Sequence, residues 1–106
     1  GSGVLTVAAA GGVDDHGDAA ATLTEAFNYA SATITADRVW TLPASVGLSA
    51  GDTVHVKAAT INPTVGIIIT PAGSQTIDGS ATAIRLESSN GAVSLKYIAL
   101  NTWMIF

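Results

Sequence analysis

GDTVHVKAATINPTVGIIITPAGSQTIDGSATAIRLESSNGAVSLKYIALNTWMIF, residues 51–106, decides the fold class. Runs rich in Val, Ile, Thr and Leu are interrupted there by Asn62-Pro63, Pro71-Ala72-Gly73, Asp78-Gly79 and Asn90-Gly91. Each interruption can turn a chain by a known mechanism, because proline fixes φ while Gly, Asn and Asp accept a positive φ. The pattern is that of a β-meander. Thr53 to Ala58 alternates cleanly, which puts Val54, Val56 and Ala58 inside and Thr53, His55 and Lys57 outside. Ile67, Ile68 and Ile69 are apolar on both faces of a strand, and so are Trp103, Met104, Ile105 and Phe106. Chain ends usually fray in water, so four large apolar residues there predict a buried end.

The spacing also predicts a hairpin over 82–98. Asn90-Gly91 is the strongest short hairpin signal, since both residues tolerate a type I′ turn. A two-residue loop at that point pairs Leu86 with Leu95, Glu87 with Ser94, Arg85 with Lys96 and Ile84 with Tyr97. Ile84, Leu86, Val93, Leu95 and Tyr97 then share one face. Asn101-Thr102 turns the chain into the final strand.

Upstream, Thr33 to Leu42 reads as one strand, or as two with a break at Ala36-Asp37, and Pro43 stops it. In it Val39 and Thr41 oppose Trp40 and Leu42. Residues 44–50 form a connection with room for one 3₁₀ turn. Ala19 to Ala30 is ambiguous. Leu23, Ala26, Phe27 and Ala30 fall at helical spacing behind a capping Asp18. A strand over Thr22–Tyr29 is the alternative, but it would bury Glu25, so a short helix near 19–30 is expected. Gly11 to Asp18 reads as a polar loop, and Val4 to Ala9 as a weak strand.

The whole is therefore an all-β domain of about seven or eight strands, an antiparallel sandwich or barrel-like fold. Residues 1–3 resemble a cloning scar, 4–30 form an N-terminal segment and 31–106 form the β-domain. Without cysteine, the chain has neither a disulfide framework nor a thiolate site. No apolar run reaches the roughly 18 residues of a membrane span, and Val4 to Ala10 lacks the basic start of a signal peptide, so a soluble chain with no membrane insertion is expected.

Charge is the anomaly. Charged residues make up 11% of the chain, against about 25% in ordinary domains. A monomer of this mass exposes roughly 5,500 Å², and twelve charges (four basic, eight acidic) defend that area thinly. Part of the surface is expected to be covered by copies of the chain or by another protein. A net charge of −4 with four Lys or Arg residues speaks against nucleic acid as a partner.

Several motifs in order resemble the small β-domains of tailed-bacteriophage virion proteins, found in tail fibres, tailspikes and head-decoration proteins. They are TLPAS at 41–45, GDTVHVKAA at 51–59, IIITPAGSQTIDGSA at 67–81, GAVSLKYIA at 91–99 and the closing NTWMIF. The resemblance covers roughly Ile34 to Phe106. It implies a sandwich or barrel-like protomer, often a trimer on a virion surface beside other virion proteins, with no catalytic residues. Two departures matter. Ala99-Leu100 precedes Asn101 where that family has a glycine, and the last strand is more apolar than the pattern.

Candidate chemistry is sparse. Asp14, Asp15, His16 and Asp18 could together hold a hard divalent cation, but they lack calcium-loop spacing and are expected to be solvated. His55 could pair with Ser94 and Asp52, yet no nucleophile elbow is present. Asp37, Asp52, Asp78 and Glu87 could supply paired carboxylates. Asp78 is better explained by its Asp-Gly turn and Glu87 by a cross-strand lysine. Of the aromatics, Trp40 is the one left free to stack on a sugar. The expectation is a non-enzymatic homotrimer without cofactor, on a virion surface, with Ile68, Met104 and Phe106 at the subunit interface. The alternative is a receptor- or glycan-binding tip meeting a host surface glycan.

Overall fold

The computed structural model describes residues 12–106. The expected strand Val4–Ala9 lies outside the described residues. Ten short strands form in order: β1 Val13–Asp15, β2 Ala21–Thr22, β3 Phe27–Ala30, β4 Arg38–Thr41 and β5 Thr53–Ala58. They continue with β6 Ile67–Thr70, β7 Thr76–Ile77, β8 Ile84–Leu86, β9 Ala92–Ala99 and β10 Thr102–Ile105. A six-stranded sheet runs β1-β3-β5-β9-β10-β7 and a four-stranded sheet runs β2-β4-β6-β8. The all-β sandwich-like class holds, while the strand number and the purely antiparallel pairing do not.

The first six strands alternate between the sheets, and each lies parallel to the strand two before it. Successive passes of the chain therefore stack like coils. The connections stack as well: Ile34 bridges Ile61, and both side chains are buried. A meander reading misses this because parallel neighbours are joined by a crossover rather than by a local turn. The later strands close the stack. β8 lies antiparallel on β6, β9 antiparallel on β5, and β10 antiparallel on β9, with β7 parallel on the far side of β10.

Each sheet buries one alternate set of side chains. Val54, Val56 and Ala58 face in from β5, Leu95 and Tyr97 from β9, and Trp103 from β10. Leu23, Trp40, Leu42, Ile67 and Ile69 face them from the other side. Tyr97 and Trp103 meet edge-on at 5.1 Å, a favourable ring geometry.

No helix occurs among the described residues, which corrects the expectation for 19–30. Leu23 alone of that segment's early residues is fully buried. Phe27–Ala30 then runs along β5 with Asn28 and Ala30 inside and Phe27 and Tyr29 outside. Glu25 stays half-buried in the bend between β2 and β3, so neither a helix nor a continuous strand has to bury it. Residues 13–15, expected as loop, pair with β3. Residues 12–30 are thus woven into both sheets rather than forming a separate segment.

The 82–98 hairpin does not form, because β8 and β9 belong to different sheets. Leu86 pairs with Ile67, and Leu95 with Val54. The inward set is nonetheless as expected: Leu95 and Tyr97 lie in the core, with Ile84, Leu86 and Val93 packed against it. Gly91 N–H donates to Ser88 O at 2.9 Å and Asn90 has φ 62°, the position at which a type II turn needs a positive φ. That turn carries the chain across the sandwich. The tight two-residue reversal lies at Asp78-Gly79, where φ is 50° and 82° and Ile77 and Ser80 exchange both backbone hydrogen bonds.

Candidate functional site

The outer face of the six-stranded sheet is the surface that is least explained by the fold itself. Register places Val13 beside Phe27, Phe27 beside His55, and His55 beside Ser94. Phe106 completes the row by donating its N–H to Ser94 O at 3.0 Å. Met104 sits opposite Lys96 one step along, and Tyr29 opposite Lys57 on the other side. Phe106 is 63% exposed and Met104 46% exposed, and Val13, Phe27 and Ile98 are also open. The expected buried chain end is therefore buried at Trp103 only.

The rings on this face touch one another rather than a core. Phe27 and Tyr29 lie 6.0 Å apart, and His55 and Phe106 lie 6.1 Å apart. Lys96 Nζ stands 4.9 Å above the Phe106 ring, a cation–π geometry. Lys57 Nζ donates to Asn90 O at 2.6 Å. Among the described residues neither lysine has a carboxylate within ion-pair distance.

The four-stranded sheet presents a different outer face. Val39, Ile68 and Arg85 form one row. Arg85 binds Asp37 and Glu87, with Nε 2.7 Å from Glu87 and Nη2 3.1 Å from Asp37. That bond holds the Asp37 carboxyl below its usual range. Ile68 therefore lies on the opposite side of the slab from Met104 and Phe106. The structure does not bring the three expected interface residues together.

The acidic cluster is divided among separate tasks. Asp15 accepts from the Ser31 hydroxyl at 2.5 Å, from Ser31 N–H at 3.1 Å and from Gly17 N–H at 3.0 Å. Asp18 accepts from Thr35 and from Arg38 Nε, the latter at 2.8 Å. These donors push both carboxyls down, Asp18 well below the ordinary carboxylate range. His16 Nε2 lies 3.0 Å from Asn28 Oδ1, and its ring meets Trp40 edge-on at 4.7 Å. Among the described residues no three His, Asp or Glu side chains converge on a cation position. The carboxylates instead stitch one coil to the next, and Asp37 repeats the device on Gly66 N–H at 3.0 Å.

Trp40 is 0% exposed and donates its indole N–H to Ala19 O at 2.9 Å. This corrects its reading as a free sugar platform: alternation left either face open to it, and the core took the larger ring. His55 Nδ1 and Ser94 Oγ do meet, at 2.7 Å. Asp52 instead receives Ser49 N–H at 2.8 Å, and no carboxylate bonds His55 among the described residues. An acid–imidazole–hydroxyl relay is not assembled there.

Two buried polar side chains escaped sequence reasoning. Asn28 Nδ2 donates to Glu25 O and His55 O. Gln75, 1% exposed, receives Trp103 Nε1–H and Ala72 N–H, both at 2.9 Å, and donates to Pro43 O and Ser45 Oγ. A buried amide with all its positions filled fixes geometry, because each lost partner leaves a desolvated group unpaired. Only the proximity of Gln75 to Pro-Ala-Gly hinted at a loop role. Compared with models of known protein families and with curated protein sequences, the chain matches none. No described helix is long and apolar enough to cross a membrane.

Proposed function

We propose that this chain is a non-enzymatic structural module of a tailed-phage virion surface, in a tail fibre, a tailspike or a capsid decoration, and that identical copies assemble as a trimer. The observation that carries the assembly is the exposure of Val13, Phe27, Ile98, Met104 and Phe106 on the outer face of the six-stranded sheet. Burying a large apolar side chain is worth roughly 1.5–3 kcal/mol, and the protomer leaves several of them unused on one face. Closed rings of identical subunits cover such faces without leaving a sticky end.

Geometry refines the arrangement. The molecule is a slab measuring 37 × 28 × 20 Å. Contacts on both broad faces would pile copies into an open stack, whereas a ring needs one broad face turned toward its axis. Met104 and Phe106, rather than Ile68, belong at that axis. The phage assignment and the number three rest on the motif resemblance over Ile34–Phe106. Static light scattering at micromolar concentration tests the assembly. A particle of three times 10.6 kDa is expected; a folded 10.6 kDa monomer would overturn it, and a dimer would remove the trimer.

A further inference from the structure

Three stretches meet at one end of the sandwich, and none contains Asp, Glu, Lys, Arg or His: 41–51, 71–77 and 97–106. Ser45 Oγ donates to Asn101 Oδ1 at 2.5 Å, Thr76 N–H to Asn101 O at 2.9 Å, and Gly51 N–H to Tyr97 O at 2.7 Å. Gln75 ties them from beneath through Pro43 and Ser45. The result is a closely tied end at which charge is confined to Asp52, whose carboxylate accepts from Ser49 N–H at 2.8 Å.

An open cleft of about 190 Å³ lies there, lined by Ala44, Ser45, Ala72, Gly73, Ser74 and Asn101. Small side chains leave the space, and the Gln75 network keeps the loops from collapsing into it. Leu100 is 78% exposed at the turn between β9 and β10, and Val46 is 91% exposed in the neighbouring loop. Two aliphatic side chains thus point away from the molecule beside an uncharged hollow of side-chain size. The carboxylate at this end, Asp52, is already taken up by Ser49 N–H. An apolar side chain would find shape and lose no ion pair.

We infer that the cleft receives Leu100 from a second copy of this chain. Knob and hollow are both present on one protomer, so copies are complementary without any other partner. The surface is also continuous with the face assigned above to assembly, because Leu100 lies at the tip of the hairpin whose outward residues are Ile98, Met104 and Phe106. Asn101, with φ 55°, holds the turn in the left-handed conformation that presents Leu100 outward. This inference rests on the assembly reading and names where part of the contact lies.

Two experiments on the full chain test it. Leu100→Asp should weaken self-association about 10- to 100-fold, because it loses the burial of one large aliphatic side chain. Its melting temperature at a dilution where only monomer remains should stay unchanged, as Leu100 supports no core residue. The chain has no cysteine, so L100C and S74C can be mixed and treated with a short bis-maleimide. A covalent mixed dimer supports the inference. A wild-type monomer at micromolar concentration removes the assembly reading itself. A wild-type oligomer that persists in Leu100→Asp, with no mixed dimer, overturns the seating of Leu100 and leaves assembly through Met104 and Phe106 standing.

Discussion

The two outer faces of this sandwich use the same secondary structure and present opposite chemistry. On the four-stranded sheet the outward row of exposed Val39 and half-buried Ile68 ends in Arg85, whose guanidinium is satisfied by Asp37 and Glu87. On the six-stranded sheet the row runs through Phe27, His55 and Phe106, with lysines that have no described carboxylate partner. A scattering of apolar surface residues needs no explanation, but a contiguous aromatic row does. The difference teaches that charge is used differently on the two faces. It is paired around Arg85 on one, and on the other Lys57 and Lys96 stand among exposed apolar side chains without a described carboxylate partner.

The largest expected effect contrasts the two sides of a single strand. Trp40→Ala should cost about 3–5 kcal/mol, as for other large buried rings, while its neighbour Val39→Ala should cost under about 1 kcal/mol. Urea denaturation measures both, and equal costs would mean that the four-stranded face is not the passive one. Next comes the contrast between faces. Met104→Ser with Phe106→Ser should weaken self-association by about 100-fold or more, and Val39→Ser with Ile68→Ser should leave it unchanged. Light scattering across a dilution series decides between them, and the reverse outcome would exchange the roles of the faces.

A smaller effect follows from titration. Asp15, Asp18 and Asp37 have carboxyl pKa values depressed in the folded chain, chiefly by Ser31, Arg38 and Arg85 respectively. Their stabilisation is fully present above the unfolded value near 3.8 and is lost as pH falls through the lower folded values. Melting temperature should therefore fall below about pH 4, and less steeply in Arg85→Ala, which frees Asp37. A profile unchanged by that substitution would remove the charge pairing of the four-stranded face. The smallest effect lies where the chain passes from one sheet to the other. Asn90→Ala should cost about 1 kcal/mol and Asn90→Gly almost nothing, because the position needs a positive φ. Equal costs for the two substitutions would show that the crossing does not depend on backbone conformation.

What was legible in the sequence was local. Alternation in Thr53–Ala58 and in 92–97 assigned inside and outside faces that the fold keeps, since a strand's period is fixed by its own backbone. Partners were not legible. Asn90-Gly91 announces a reversal, yet nothing in the dipeptide says whether the chain rejoins its own sheet or crosses to the other. Gly91 is needed for a different reason, because a Cβ there would lie 2.8 Å from Leu86 Cδ1 and from Ser88 O. The acidic loop failed as a cation site for the same cause of distance. The groups that claim Asp15 and Asp18 are Ser31, Thr35 and Arg38, which lie in the following coil. The last turn has φ 55° at Asn101, a left-handed position that asparagine tolerates.

The place of β9 has a consequence for how the chain is made. It lies between β5 and β10, so the six-stranded sheet stays split until residues 92–99 have left the ribosome. Until then β5 keeps an open edge with Val54 and Val56 facing an unfinished core. Synthesis runs at about 5–20 residues per second, so this edge waits for seconds in a cell crowded with other nascent copies. Thr53 meets Lys96 and Lys57 meets Ala92, pairings of the non-local kind that form slowly, in about milliseconds to seconds. Nascent chains stalled before Ala92 should be the ones that stick to one another, and residues 92–99 act as the release from that hazard.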